Sequence, residues 1–559
     1  MRSAPVALLA AYTAIASQSP ARPPQPPAPP ADLIVYNAVV HTMAEAQPAA
    51  QGFAVRGSRF VAVGTSADVL RWRGPATQVI DAGNRAIVPG LQDAHGHVLG
   101  LGASLQALDL RDTPTFDAVV AKVRARAAEL RDGDWILGRG WDQNRWPVPE
   151  WPAPGPLDAA APRNPVFLGR IDGHAALANR RALAAAAITR ETPDPPGGRL
   201  IRDASGAPTG VLIDAAQSLV ARHIPQPSRE QLTRQLLLAD REMRRVGLTM
   251  VHDAGVAPEA VDVYREVIGA SRFGTRIYLM LTGSNTGDWF TRGPLIDPEH
   301  RLTVRAVKLV ADGALGSRGA ALNEDYADEP GNRGLLVTAP DRLYAVTRAA
   351  TEARFQTAIH AIGDRANHLV LGIFDRVSRE VPGARDLRLR NEHAQVVDAT
   401  DIPSFARLGV IASIQPTHCT SDMPWAPHRL GDDRVAEGAY PWRKLIASGA
   451  RLAHGSDFPV ERPEPLLGFY AAITRQDASG HPPDGWGPDQ RLTRAEALHG
   501  MTLGAAYAAH AERDLGSIEP GKLADFVVLS RDIMQVAPRD VLSTTIVRTV
   551  VGGRTVYER

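Results

Sequence analysis

Two histidines, His95 and His97, stand one residue apart in "LQDAHGHVLGLG", residues 91–102, directly after an apolar run. On an extended segment side chains alternate with period two, so both imidazoles project from one face. Such a pair either hydrogen-bonds locally or binds a divalent ion such as zinc. Further candidates of the same chemistry follow: His360 in "IHAIGD", His393 in "NEHAQ" and Asp457 in "HGSDFP". Any one of these alone is an ordinary structural residue. Brought to one point, four imidazoles and a carboxylate are a metal-binding set.

Lys308, within the apolar segment "VRAVKLVADG", is the odd member. A buried ammonium is costly unless paired or neutralised, and cations beside it would repel it. Reaction with CO₂ to a carbamate would remove both problems and make an anionic ligand able to bridge two ions. On composition alone, an ion pair with Asp312 or Asp253, or a side chain snorkelling out of the strand end, is the preferred account.

Something must carry these residues to one place. Apolar runs at 85–97, 248–255, 275–283, 303–313, 355–364, 387–395, 409–418 and 450–459 alternate with helical stretches. Eight parallel strands with helices between them predict an α/β fold, a (β/α)8 TIM barrel, with chemistry at the C-terminal strand ends. His95, His97, His360, His393 and Asp457 all fall at such ends, and Lys308 lies on the fourth strand. Residues of about 103–240 do not fit this alternation. They are too long for a structureless loop and predict an inserted α+β subdomain over the barrel mouth. Short alternating strands in 32–88 and again in 511–559 predict a small β-sandwich built from both chain ends, leaving 89–510 for the barrel with its insert.

The 559 residues are 44% apolar and 22% charged, with a formal net charge of +1, an ordinary soluble composition. No basic stripe suggests nucleic acid as a partner. Cys419 is the only cysteine, which excludes an intrachain disulfide and a cysteine-based zinc site. Residues 1–16 have the pattern of a signal peptide, with Arg2 followed by an apolar run and the small-x-small Ala14-Ile15-Ala16. Residues 17–31 read as a proline-rich linker. The expectation is a secreted or periplasmic protein cleaved near Ala16, with no membrane span later in the chain. A homo-oligomer is compatible with this composition. No Gly-x-Ser-x-Gly elbow supports a serine hydrolase.

Taken together, "PGLQDAHGH", "VKLVADGALGSR", "IHAIGDRAN", "NEHAQ", "HGSDFP" and "DLGSIEPGKLADFVVL" resemble the amidohydrolase superfamily over nearly the whole chain. "RIDGHAALANRRAL" and "ADGALGSRGAAL" look like its branch that includes N-substituted formamide deformylase. The resemblance implies that His95, His97 and Asp457 hold one divalent ion, that His360 and His393 hold a second, and that carboxylated Lys308 bridges them. Zinc is the usual metal, and some members use one ion only. It also implies hydrolysis of a non-peptide C–N bond in a small-molecule amide by hydroxide generated at the metals, with Asp457 moving the proton to the leaving nitrogen. A cyclic amide, a carbamate or a deamination substrate is the alternative on the same site. A disabled barrel acting as a binding protein is the alternative of another class. His174 in the insert, His252 with Asp253, Arg318 and His418 are secondary candidates for contact with substrate or support of a ligand. The insert tryptophans Trp135, Trp141, Trp146 and Trp151 either line a pocket or fill a core.

Overall fold

The computed structural model describes residues 29–283 and 285–559, so the leader and most of the proline-rich tether lie outside the described residues. At its centre is an eight-stranded, all-parallel sheet: β1 (Leu91–Gly96), β2 (Leu248–Val256), β3 (Arg276–Thr282), β4 (Leu302–Val310), β5 (Gln356–Ala361), β6 (Arg390–His393), β7 (Ile411–Ile414) and β8 (Arg451–His454). The strands neighbour one another in chain order. Their residues are almost all buried on both faces, as expected of a parallel sheet covered by helices.

The seam between β8 and β1 is bridged at their C-terminal ends. Asp457 N donates to His95 O at 2.7 Å, and His97 N donates to Phe458 O at 2.8 Å. This crossing needs Gly455, where a Cβ would lie 2.5 Å from His95 N. The same backbone contacts that close the barrel therefore set His95, His97 and Asp457 side by side.

After β1 and the helix Val98–Ser104 the chain leaves the barrel. It forms a six-stranded mixed sheet that begins at Leu108–Asp109 and ends at Pro208–Asp214. Leu110, Val119, Val123, Trp141, Trp146, Leu157 and Val166 give this insert its own core. The chain rejoins the barrel through helix Arg229–Arg245. Its buried Leu236, Ala239 and Met243 belong to the barrel core, and it packs on Val98–Ser104.

The chain ends meet in two further sheets. One contains Leu33–Tyr36, Gly52–Arg56, Arg59–Gly64 and Gln78–Asp81. The other interleaves Val39–His41, Ala49–Ala50 and Ala86–Pro89 with Phe526–Leu529, Ile546–Val551 and Arg554–Glu558. Phe53 joins their cores, its ring 5.1 Å from Phe60 and 4.7 Å from Phe526. Among the described residues, no helix is long and apolar enough to cross a membrane.

Candidate metal centre

The site lies at the C-terminal end of the barrel. His95 from β1 is fully buried, and its Nδ1 is 2.5 Å from Glu392 Oε2 on β6. That bond turns Nε2 toward the mouth. His97 is held the same way: Nδ1 lies 2.7 Å from the carbonyl oxygen of Ala254, and Nε2 is 3.0 Å from Asp457 Oδ1. His393 Nδ1 lies 2.8 Å from Gln415 Oε1. Three imidazoles thus have Nδ1 engaged behind and Nε2 aimed forward, the way a protein fixes ring and tautomer for a metal. His360 differs. Its Nε2 lies 3.3 Å from the carbonyl oxygen of Gly313, which leaves Nδ1 as the nitrogen available to a ligand.

Among the described residues, ligand atoms of His95, His393 and Asp457 all lie within 4.8 Å of one another. His97 joins this triple through Asp457, and His360 through His393, the two rings 4.5 Å apart. Lys308 Nζ is 3.0 Å from His95 Nε2. The two carboxylates that sequence offers it are engaged elsewhere. Asp312 accepts the backbone amides of Ala321, Ile362 and Gly363, and Asp253 accepts from Tyr264 and the amide of Val98.

The electrostatics favour the ligand forms. Burial lowers His95 to about 4, helped by Lys308 and opposed by Glu392 and Asp457. Burial and neighbouring imidazoles hold His360 and His393 well below the usual histidine range. Neutral imidazole is the form that binds a metal. Burial opposes ionisation of Asp457, but His95 and His97 outweigh it and hold the carboxyl well below its ordinary range. Burial also lowers Lys308, against the pull of Glu392 and Asp457. The donor set therefore fits a divalent cation: neutral nitrogens, an ionised carboxylate and an amine biased toward its neutral form.

Two residues at this site depart from regular strand geometry. His393 has φ +79° and Asp457 has φ +59°. Period two would send Glu392 and His393 to opposite faces. The left-handed backbone at His393 brings its ring to the mouth while Glu392 stays inside the barrel beneath His95. Such backbone is costly and is found where function requires it.

Beneath the site, Arg390 Nε donates to Glu392 Oε1 at 2.7 Å, and Nη2 donates to Ala94 O at 2.7 Å and to Ser413 Oγ at 3.0 Å. Its Nη1 is 2.9 Å from His252 Nδ1. Glu392 and Arg390 were not among the sequence candidates. Their one signal is the position of Glu392 next to His393 in "NEHAQ". His252 therefore lies under the floor as a partner of Arg390, away from the cavity walls.

Arg318 also lies outside the lining of the two cavities at this centre. Its guanidinium pairs with Asp328 at 3.0 Å and with Glu329 at 3.4 Å. His174 does reach the site from the insert: its ring is 5.0 Å from His360, and Nδ1 is 2.6 Å from Asp214 Oδ1. Burial would lower it, but Asp214, Asp172 and Asp312 raise it to about 9. His418 stacks on His393 at 5.9 Å, with Nε2 3.8 Å from Asp457 Oδ2. Of the tryptophans, Trp141 and Trp146 are core, whereas Trp135 packs with one side on a second insert cluster and also lines a cavity.

Two cavities meet at this centre. The smaller, about 370 Å³, lies between the insert and the last barrel loops and is walled by Asp142, Asp422, Trp425 and Glu461. The larger, about 1160 Å³, runs between the insert sheet and β1–β2 past His97, Lys308 and Arg139. His174, His360, His393 and Asp457 border both.

Residues 78–557 match the model of the amidohydrolase family. The chain is 36% identical to the protein LONG AFTER FAR-RED 3 of Arabidopsis thaliana, over 94% of this chain and 92% of that one. It is 28% identical to an N-substituted formamide deformylase of Arthrobacter pascens, over 94% and 98%. An uncharacterised metal-dependent hydrolase of Pyrococcus horikoshii superposes with a TM-score of 0.73 at 26% identity, covering 90% of this chain and 99% of that one. With its barrel, its histidines at the strand ends and a match over most of its length, the chain belongs to the amidohydrolase family of metal-dependent hydrolases.

Proposed function

We propose that the protein hydrolyses a non-peptide C–N bond of small-molecule amides, giving a carboxylate and an amine, with two divalent ions at the barrel mouth. The observation that carries this reading is the convergence of three Nε2 atoms on Asp457, each imidazole braced from behind through Nδ1. Zinc suits such a nitrogen-and-oxygen donor set. His95, His97 and Asp457 would hold one ion, and His360 and His393 the other. Lys308, carboxylated, would bridge them. Its buried position and the prior engagement of Asp253 and Asp312 support this. When bound, the metal polarises the carbonyl and lowers the pKa of water.

The chain's own residues account for the proton. Asp457 has His95, His97 and His418 about its carboxylate, so it is placed to take a proton from the attacking water. As the new C–O bond forms and the C–N bond breaks, it returns that proton to the leaving nitrogen. His174, braced by Asp214, presents Nε2 to the substrate from the insert side.

The test is a screen of N-formyl, N-acyl and cyclic amides with metal content measured alongside. Release of amine and acid in step with bound metal, abolished by a chelator and restored by zinc, is the expected result. Full turnover in metal-free protein, or release of ammonia alone, would overturn the reading.

A further inference from the structure

The insert sheet turns a particular face toward the larger cavity. Along Ile136–Trp141, Leu137 and Arg139 point away from the insert core, and Trp135 precedes them on the same face. On the adjacent strand Val166–Arg170, Phe167 stands in register beside Leu137 and Gly169 beside Arg139. The result is an apolar floor of Trp135, Leu137 and Phe167 that ends in a guanidinium. The same cavity is bordered by His97, Lys308 and Asp457.

Arg139 is poorly provided for. Among the described residues its one hydrogen bond runs from Nη2 to Ile171 O at 3.0 Å, and its Nε is buried without a partner. Nearby carboxylates are committed. Asp109, in register on the other neighbouring strand, takes two bonds from Arg111 at 2.9 and 2.7 Å. Asp172 takes Arg170 at 2.6 Å and the amide of His174 at 3.0 Å. The space beside Arg139 is open: a Cβ on Gly169 would meet nothing nearer than 3.8 Å, and Arg139 Cγ at 3.9 Å. Arginine stays charged even when half-buried. A charge left without its counter-ion in such a place costs stability. Its planar fork matches a carboxylate. The smaller cavity is walled by Asp142, Asp422 and Glu461 and also by Arg111, Arg145, Arg170 and Arg462, but each of these arginines already faces a carboxylate within 4 Å.

We propose that Arg139 binds a carboxylate carried by the substrate close to the scissile amide, with an apolar group of the same substrate lying along Trp135, Leu137 and Phe167. The substrates are then anionic amides. This deepens the amide-hydrolysis reading and rests on it for the identity of the bond cleaved. Arg139 acts here as a specificity-determining residue.

The test compares each acid with its neutral counterpart: N-acetylphenylalanine with N-acetylphenethylamine, and N-benzylsuccinamate with N-benzylbutanamide. In at least one pair the acid should show kcat/KM about 10- to 100-fold higher, the scale of a charge-assisted hydrogen-bonded pair. Arg139→Gln should bring that ratio to about 1, and Arg139→Lys should keep part of it. Gly169→Asp supplies a carboxylate beside an intact Arg139 and should also erase the preference. It serves as the second variant if Arg139→Gln folds poorly. Calorimetric binding of the same compounds to an Asp457→Asn protein reads the subsite without turnover. An equal response to acid and neutral amide in both pairs, or a preference that survives Arg139→Gln in folded protein, overturns the proposal. Arg139-dependent binding of the acid without hydrolysis of any probe would uphold the anion subsite and overturn the amide reading instead.

Discussion

Asp457 combines two tasks, ligand and proton carrier, and they can be separated. Asp457→Asn keeps an oxygen able to coordinate but cannot carry a proton. Metal content should stay near that of the parent while turnover falls by about 10²-fold or more, the scale of general acid–base catalysis. Turnover within a few-fold at full metal occupancy would move the shuttle to His174, which borders both cavities from the insert side. Glu392 gives a second prediction. It accepts from His95 Nδ1 and from Arg390 with no exposure to water. Glu392→Gln should weaken metal binding by about 10- to 100-fold, the cost of losing such a support, and should be read by metal competition in the folded variant. Unchanged affinity would show that β1 geometry alone orients His95. These two residues also mark what was legible. Asp457 sits in a motif, at a strand end, among apolar neighbours. Glu392 could not be found, because period two assigns it and His393 to opposite faces, and the left-handed φ of His393 that reconciles them is a tertiary effect.

At the scale of elements, buried parallel strands are apolar runs, so all eight barrel strands were readable with their order. Their ends were not. The segment expected at 450–459 is a strand only over Arg451–His454, and the Gly-Ser-Asp that follows is already the loop that carries Asp457. The strand order of the insert, and the turn of its Arg139 face toward the barrel, depend on long-range pairing that no local pattern encodes. Helices after the last strand are held by charge as well as by packing. Thr493 and Glu496 form a capping box on helix Arg494–Gly500, and Glu496 takes both arms of Arg443 at 2.7 Å. Those bonds, Arg443 first, lower its carboxyl to about 2. A depressed acid stabilises the fold above its unfolded pKa, near 4.5, and that contribution fades as pH falls from there toward 2. Glu496→Gln keeps a capping side chain and removes the charge. It should cost about 1 kcal/mol or less at pH 7, since the pair is partly solvated. The gap to the parent should narrow in denaturant melts taken below pH 4.5, and a gap that widens there would contradict the assignment.

Across the whole molecule, the candidate ligands come from five barrel strands separated by long stretches of chain; the insert has a core of its own, whereas the β-sandwich shares Val88, Val527, Leu529 and Ile546 with the barrel core. Ions held by His95, His97, His360, His393 and Asp457 would therefore tie β1, β5, β6 and β8 together without touching the insert core. In the unfolded chain these residues are dispersed, so binding favours the native barrel by RT ln(1 + [L]/Kd), about 4 kcal/mol at a thousand-fold excess over Kd. With an unfolding entropy of about 2.1 cal/mol/K per residue, a barrel of this size should melt about 5 °C lower after chelation. The loss should fall on the barrel and the sandwich packed on it, so the calorimetric trace should broaden as their melting moves away from melting of the insert. Zinc should restore it in the parent but not in His95→Ala, whose own melting should be indifferent to chelator. A trace that keeps its position and width after verified metal removal would mean that the strand ends are held in place by the seam at His95, Asp457 and Phe458 without help from the ion.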